Sequence, residues 1–393
     1  MTIAEIQKIC YVGAGTMGCF NSLVAAVNGY DVALYDLDPK TLEQLPARQL
    51  EMADMLVGGG YCERSAIAEA ADRITVFTDL AEAAAGADLV SESVFEQLEL
   101  KRKLHRELDQ VCPEHTILTT NSSKLTVSEI EDVVRRGERF AALHSHLGSP
   151  LVDIVGGPRT LASVIDTLRR FVDSIGGVPL VLSKEYPGYV LNAMLGPLLS
   201  TSMLLVSEGL ASHEEVDRAW MRERSAPMGP FGMIDLFGIN LIHDSWQYRA
   251  QEDLFQTYRP AFLELLAPLL ERGYLGIKAG RGFYRYPEPE YQRPGFAGEG
   301  GSAAGVYEAL ACALVGNALL VAQQGVASPA DIDRAWTVGT YLEQGPFSLL
   351  AAIGAAEFKT MLTRQVELRH FDRQKAALAL QYLEDGVSSV VRS

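Results

Sequence analysis

A doubly wound parallel α/β sheet, followed by an all-α region made of two similar halves, is what this 393-residue sequence predicts. Three observations carry the prediction. Short β-rich runs alternate with helical stretches up to Lys184, a glycine-rich turn follows the first run, and segments of the second half repeat 116 positions apart. Such alternation feeds parallel strands through helical crossovers and covers both faces of the sheet.

The strands come first. Lys8–Val12, Asp31–Asp36, Ala87–Glu92, Thr116–Thr120, Phe140–His144, Leu151–Val155 and Val178–Leu182 read as short buried strands. Beyond Lys184 helical patterns dominate, and Pro287–Gly305, rich in Pro, Gly and Glu, reads as a linker. Domains are expected over 1–184, 185–290 and 291–393. In the helical half, Gly209-Leu-Ala-Ser-His-Glu-Glu-Val-Asp-Arg-Ala-Trp220 returns as Gly325-Val-Ala-Ser-Pro-Ala-Asp-Ile-Asp-Arg-Ala-Trp336. Gly229-Pro-Phe231 returns as Gly345-Pro-Phe347, and Gly238 as Gly354. A constant offset over that length means a tandem duplication. Ser212 and Ser328 are predicted N-caps, with Glu215 and Asp331 as their capping-box partners.

Composition bounds the function. Hydrophobic residues at 48% and charged residues at 21% describe a globular chain, too long for one ordinary core. A net charge of -16 disfavours nucleic acid or an anionic membrane as partner, since both need clustered Lys and Arg. Five dispersed cysteines without C-x-x-C spacing fit a reducing compartment. Cys10 in a strand and Cys19 in a helix read as small buried hydrophobes. The first seven residues carry no signal pattern, and no apolar run is expected to approach the ~20 residues of a bilayer span, so the chain is expected to be cytoplasmic.

Gly13-Ala-Gly-Thr-Met-Gly18 follows the first strand and opens a helix, the G-x-G-x-x-G context of a Rossmann-like dinucleotide site. Gly13 makes the turn, Gly15 admits the pyrophosphate, Gly18 permits close packing, and the helix start at Thr16 and Met17 offers free N–H groups. Asp36 ends the second strand at the spacing where a carboxylate binds the ribose hydroxyls. It favours NAD over NADP, because it would repel a 2′-phosphate; FAD is the lesser possibility on the same motif.

Further along stand Glu92-Ser-Val-Phe-Glu-Gln-Leu-Glu-Leu-Lys101, Thr120-Asn-Ser-Ser123, a strand ending in His144, and a Pro-Gly turn that leads to Asn192. In these segments the chain resembles the L-3-hydroxyacyl-CoA dehydrogenase family: Thr120–Ser123 is similar to that family's Asn-Thr-Ser segment, and Glu92–Lys101 to its Glu-Ala-x-x-Glu-x-x-x-x-Lys stretch. Arg139-Phe-Ala-Ala-Leu-His144 is similar to the strand that delivers the family's histidine, and Tyr186-Pro-Gly-Tyr-Val-Leu-Asn192 to its Pro-Gly-Phe-x-x-Asn helix start. Pro227–Phe231 and Gly276–Tyr284 match two more signatures, and the last part of the chain resembles the extra helical domain of two-copy members. The resemblance implies NAD-dependent interconversion of a 3-hydroxyacyl and a 3-oxoacyl thioester. His144 is then the base, Asp153 its carboxylate partner, and Ser123 and Asn192 polarise the reacting oxygen. Glu96, Lys101 and Asn121 line the cofactor.

The chain also departs from the pattern. His144-Ser-His-Leu-Gly-Ser-Pro150 replaces a histidine followed by Phe-Phe-Asn-Pro, the interval to the acid is shorter by about three residues, and Asp stands for Glu. Matching from the strand selects His144, while matching back from Pro150 selects His146. The strand match is preferred, because a gap falls more easily in a loop. His105, His115, His213, His243 and His370 lack ligand spacing, so no metal site is expected.

The position 116 after Asn192 is Glu308, and copy two has no counterpart of Lys278–Tyr284. Copy two is therefore expected to be scaffold. The resemblance implies that it stands in for a dimer partner, giving a monomer with an internal pseudo-dimer, or else a homodimer. The arm from Thr41 to Ala71, where the family carries lysines for CoA, holds only Arg48 and Arg64 as cations against Glu43, Glu51, Asp54, Glu63 and Glu69. A thioester on a carrier protein, or a small free hydroxy acid, thus competes with CoA as substrate. Of another class is an NAD(H)-binding protein without turnover, favoured by the altered loop after His144 and opposed by the retained polar set. An oxidoreductase of the 6-phosphogluconate type ranks last, since no lysine lies between Tyr186 and Ser207.

Overall fold

The computed structural model describes residues 6–58, 62–247, 253–300 and 304–390. It divides into two compact units. The first runs to Tyr189 and takes in Gly325–Ala327 and Val338–Thr340; the second holds the rest.

In the first unit β1 (Lys8–Val12), β2 (Asp31–Tyr35), β3 (Ile74–Phe77), β4 (Leu89–Glu92), β5 (Ile117–Thr120), β6 (Phe140–Ser145), β7 (Leu151–Gly156) and β8 (Val178–Val181) form one sheet. Its order is β3-β2-β1-β4-β5-β6-β7-β8. The connecting helices are α1 (Thr16–Val27), α2 (Pro39–Glu43), α3 (Leu45–Gly58), α4 (Arg64–Ala71), α5 (Leu80–Ala84), α6 (Leu98–Val111), α7 (Val127–Glu131) and α8 (Ala162–Ser174). Alternate strand residues Ile9, Tyr11, Val32, Leu34 and Ile154 face a core closed by Phe20 and Leu23 of α1, Met52 and Leu56 of α3, and Leu168 and Phe171 of α8. Residues of the opposite alternation, Cys10, Val12 and Leu118 among them, are buried too. Burial of both alternations is the mark of a sheet covered on both faces.

Two features correct the strand reading. The edge strand β3 was not expected: its four residues are partly exposed and pair only with β2, so no buried apolar run announces it. All neighbouring strands run parallel except β6 and β7, which are antiparallel. Only residues 146–150 join those two, and a parallel return needs a crossover of about a dozen residues or more. A link this short closes a hairpin instead.

The second unit holds α9 (Leu191–Ser207), α10 (His213–Arg224), α11 (Pro230–Phe237), α12 (Ile239–Gln247) and α13 (Arg259–Glu271), followed by α14 (Ala304–Gln323), α15 (Pro329–Thr340, its last turn in the first unit), α16 (Pro346–Ile353), α17 (Ala355–Glu367) and α18 (Arg373–Val390). The second five helices repeat the order of the first five. α9 packs along α14, and Trp220 meets Trp336 edge to face at 6.4 Å.

A carboxylate explains much of the repeat. Asp217 on α10 accepts the Phe231 and Gly232 N–H groups that open α11, at 2.8 and 3.0 Å. Asp333 does the same for Phe347 and Ser348 at 2.7 and 2.9 Å. A Cβ on Gly229 would meet Asp217 Cα at 2.4 Å, and one on Gly345 would meet Asp333 Cγ at 2.4 Å, so both copies keep glycine there. Asp235 accepts from the Phe283 and Tyr284 N–H groups and the Tyr286 hydroxyl. Its counterpart is Ala351. Copy two has thus lost both the segment Lys278–Tyr284 and the carboxylate that holds it.

The capping expectations divide. Ser212 and Glu215 form the reciprocal box. Ser328 caps α15, but Asp331 accepts from the Ser328 hydroxyl at 2.7 Å, a carboxylate one methylene shorter than the box normally uses.

Two further expectations are corrected. The stretch Pro287–Gly305 is not a free linker, because Tyr291 and Phe296 are buried and Arg218 lies over the Phe296 ring at 5.1 Å; its residues 301–303 fall outside the described ones. One apolar stretch does reach the length of a bilayer span, Gly305–Gln323 of α14. With 72% of that stretch buried inside the protein, it is apolar on every side because helices surround it.

Candidate active site

The site is built at the carboxyl ends of β1, β2, β4, β5 and β6, around the point where the strand order reverses between β1 and β4. Gly13 takes φ +101°, and a Cβ there would meet Ser93 O at 2.8 Å. At Gly18 a Cβ would meet Gly13 O at 1.8 Å, whereas at Gly15 it would meet nothing within 4 Å. The outer two glycines are therefore required by the fold, and the middle one faces room for a ligand. No side chain caps α1, which leaves its first N–H groups at Thr16, Met17 and Gly18 for an anion. Asp36 Oδ2 accepts the Ala14 N–H at 2.8 Å and Oδ1 the Asp38 N–H at 2.9 Å, fixing the carboxylate beside the loop. Glycine room, uncapped helix and fixed carboxylate together fit an NAD-type dinucleotide.

Behind the loop lies a buried charged network. Glu92 accepts from Lys101 at 2.6 Å, from Thr120 at 2.8 Å and from the Val94 N–H at 2.8 Å, and pairs with His105 at 3.2 Å. Burial alone would raise the Glu92 carboxyl, but the bond from His105 and the Lys101 charge outweigh it and bring it down to about 2. Lys101 also pairs with Glu96 at 3.4 Å. It is almost wholly buried, so its influence on the site passes through Glu92 and Glu96. Glu96 in turn accepts from the Ser122 hydroxyl and, at 2.9 Å, from the Lys124 N–H. Asn121 bonds Ser93 Oγ at 3.2 Å and accepts the Ser145 N–H at 2.8 Å, tying together the ends of β4, β5 and β6.

The hairpin supplies the titratable groups. Its register sets His144 directly opposite Asp153. His144 Nδ1 lies 2.9 Å from Asp153 Oδ2, and Nε2 lies 3.1 Å from Ser123 Oγ. A carboxylate can only accept, so Nδ1 carries the proton and the Nε2 lone pair receives the Ser123 hydroxyl. His146 Nε2 stands 2.9 Å from the same Asp153 oxygen. The two matches of the sequence are thus not exclusive: both histidines meet the one carboxylate. Burial, then the neighbouring His146 charge, lowers the His144 pKa below 6.5, against the opposing pull of Asp153. For Asp153, burial acts upward, but His146 and the bonds from both rings leave it below the usual carboxylate range. The donor atoms of the three residues lie within 4.8 Å of one another. The two hydrogen bonds account for that closeness, so the group is a hydrogen-bonded triad.

Tyr189 escaped the sequence reading. Its ring stacks on His144 at 4.7 Å and 19°, and its hydroxyl donates to Ser122 O at 2.7 Å. It adopts φ +52°, the left-handed region a bulky residue enters only when its surroundings enforce it. The signal was present in Tyr186-Pro-Gly-Tyr189, where a Tyr replaces the family's Phe. Asn192 stands near the start of α9 in the second unit, half-buried.

Comparison with known proteins gives consistent neighbours. The model for the 3-hydroxyacyl-CoA dehydrogenase NAD binding domain matches residues 8–186, and that for the family's C-terminal domain matches twice, over 188–286 and 306–389. A probable 3-hydroxybutyryl-CoA dehydrogenase of Bacillus subtilis is 30% identical, covering 72% of this chain and 99% of its own length. The mitochondrial hydroxyacyl-coenzyme A dehydrogenase of Sus scrofa is 31% identical, over 72% of this chain and 91% of its own. Among solved structures, a diketoreductase acting on dicarbonyl compounds is 31% identical with a TM-score of 0.66, covering 72% of this chain and 100% of its own. The 3-hydroxybutyryl-CoA dehydrogenase of Escherichia coli K12, at 24% identity and a TM-score of 0.75, shares the fold over 96% of this chain and 100% of its own.

Proposed function

The chain belongs to the 3-hydroxyacyl-CoA dehydrogenase family, and from that premise we propose that it interconverts a 3-hydroxyacyl thioester and the 3-oxoacyl thioester with NAD, His144 moving the proton. One observation carries the reading. The His144 ring is held at Nδ1 by Asp153 and turns its free nitrogen toward Ser123 at the carboxyl end of β6.

Gly13, Gly15, Thr16, Met17, Gly18 and Asp36 hold the dinucleotide, with Glu96, Lys101 and Asn121 shaping the loops beside it. When bound, the nicotinamide supplies the hydride acceptor or donor. The substrate hydroxyl comes within hydrogen-bond reach of both Ser123 Oγ and His144 Nε2 and replaces the bond between them: Ser123 turns its proton to the substrate oxygen, and the substrate's own proton passes to Nε2 as the carbonyl forms. The resulting imidazolium is met at Nδ1 by Asp153, a carboxylate excluded from water whose attraction is correspondingly strong. Ser123 is the donor for the reacting oxygen, a role that the family resemblance also gives to Asn192. The second helical copy, which carries Glu308 where the first has Asn192, serves as scaffold through the α9–α14 packing; Glu308 is tied to Gln365 at 2.8 Å and to Arg364.

A second reading concerns the substrate's handle. Both arginines of the arm are engaged: Arg48 donates to Ala14 O at 2.7 Å and to Gln44 at 3.0 Å, and Arg64 to Asp54. That favours a substrate without CoA's phosphates, such as a small dicarbonyl compound. Purified protein with NADH should reduce acetoacetyl-CoA with a kcat/KM at least tenfold above that for free acetoacetate or a simple diketone. The reverse ratio would move the assignment to the small dicarbonyl.

A further inference from the structure

His146, which the match back from Pro150 selects, has no part in the reaction proposed above. It follows β6 by one position and stands two residues from His144, the spacing that puts two side chains on the same face of a strand. Asp153 sits across the hairpin from His144, so a side chain two residues on reaches it diagonally. Both ring nitrogens arrive at the same oxygen, Oδ2, at 2.9 Å each. The other oxygen, Oδ1, is buried and has no partner among the described residues. All the hydrogen bonding that this buried carboxylate receives therefore comes from two imidazoles.

We propose that His146 is a positioning residue that shares the Asp153 carboxylate with His144, locks the aspartate in place and keeps His144 a neutral base. The inference rests on the reading of His144 given above. Its physical basis is a division of one charge. A carboxylate oxygen that accepts from both rings is partly neutralised by His146, and so stabilises a His144 imidazolium less than it would alone. It also makes up for geometry: Asp is shorter than the Glu it replaces, and a single bond would leave it free to rotate toward Oδ1.

The groups facing His144 from the elements around it are Asp153 on β7, His146 on the hairpin loop, Glu96 beyond β4 and the Tyr189 ring. Glu96 and Asp153 favour the charged imidazole, and burial and His146 oppose it. Removing the His146 donor leaves the Asp153 charge to His144 alone, while Glu96 acts as before. The His144 pKa then rises, and the acidic limb of 3-hydroxyacyl oxidation moves to higher pH.

The test is a titration of the full chain labelled with ¹⁵N at histidine, in wild type, His146→Ala and His146→Gln, with His144→Ala to assign the resonances. In wild type, His144 should appear protonated at Nδ1 and His146 at Nε2. In His146→Ala the His144 pKa should rise by about one unit, a tenfold change in its protonation equilibrium. His146→Gln, which keeps an N–H donor, should return it close to wild type. A wild-type His146 protonated at Nδ1 alone would overturn the proposal without any variant having to fold. So would an unshifted His144 in His146→Ala, or a His146→Gln that behaves like alanine. No turnover is required: the predicted titration in a protein inactive on acetoacetyl-CoA would sink the function and keep the triad, and an active protein with an unshifted His144 would do the opposite.

Discussion

Asp153 Oδ2 decides which nitrogen of His144 is free to take a proton, and the glycines of the first loop decide where a cofactor can lie. The two decisions were unequally legible. Gly13, Gly15, Gly18 and Asp36 could be read from spacing alone, because a tight turn, a close approach and a packing contact each exclude a Cβ for their own reason. The sharing of Asp153 could not be read, since it depends on the hairpin register, and nothing in the order of residues 144–153 states that register. Gly15→Ala tests the cofactor side. Gly15 has φ -71°, a value any residue adopts, and a Cβ there meets nothing within 4 Å, so the melting temperature should stay within about 1 °C of wild type. NADH affinity, followed by fluorescence titration, should fall at least tenfold because the methyl occupies the approach to the pyrophosphate. Unchanged affinity would place the dinucleotide elsewhere.

Between residue and molecule, the informative elements are the β6–β7 hairpin and the duplicated α10–α11 pair. Both strands of the hairpin were read, but not their antiparallel pairing, although the five-residue link between them excludes a crossover. The duplication was read correctly from its offset, but the carboxylate that each copy uses to hold a helix start was not singled out, because an Asp within a helical pattern looks like a solvated face. Copy one also serves as a stability experiment for copy two. Asp217 is fully buried, and burial pushes its carboxyl up to about 7 against the bonds it receives from Phe231 and Gly232. Asp333 is only half-buried, where water can replace it. Asp217→Ala should cost about 2–4 kcal/mol in urea unfolding and Asp333→Ala about 1 kcal/mol, since the penalty for stranding donors grows with burial. The sign with pH is fixed as well. A carboxyl raised from 3.8 to about 7 keeps, in the folded state, a proton that the unfolded chain has released. Its contribution is therefore greatest below pH ~4 and declines as pH rises to about 7, a slope that Asp217→Asn should flatten. Equal costs for the two alanine variants would show that burial does not set the difference.

For the molecule as a whole, the alternation of strands and helices, the glycine loop and the 116-residue offset placed the doubly wound sheet before the helical repeat, as observed. What escaped were features set by neighbours instead of by local pattern. The edge strand β3 is defined by its pairing with β2, and the packed course of residues 287–300 by the burial of two aromatic rings, not by its proline-rich composition. The apolar length of α14 reflects the same dependence, since a helix surrounded by other helices has no face left to make polar.

In the proposed reaction His144 carries the proton. Oxidation of 3-hydroxybutyryl-CoA needs the neutral ring, so kcat/KM should be flat above the His144 pKa, which lies below 6.5, and fall tenfold per pH unit beneath it. The most direct measurement follows the nicotinamide absorbance during this reaction across pH for wild type and His144→Ala, with NADH binding checked in both. With His144 as the base, the variant should lose about 10³-fold in kcat/KM with cofactor affinity unchanged, and its acidic limb should disappear. A variant that retains wild-type turnover, or the same acidic limb, would contradict it.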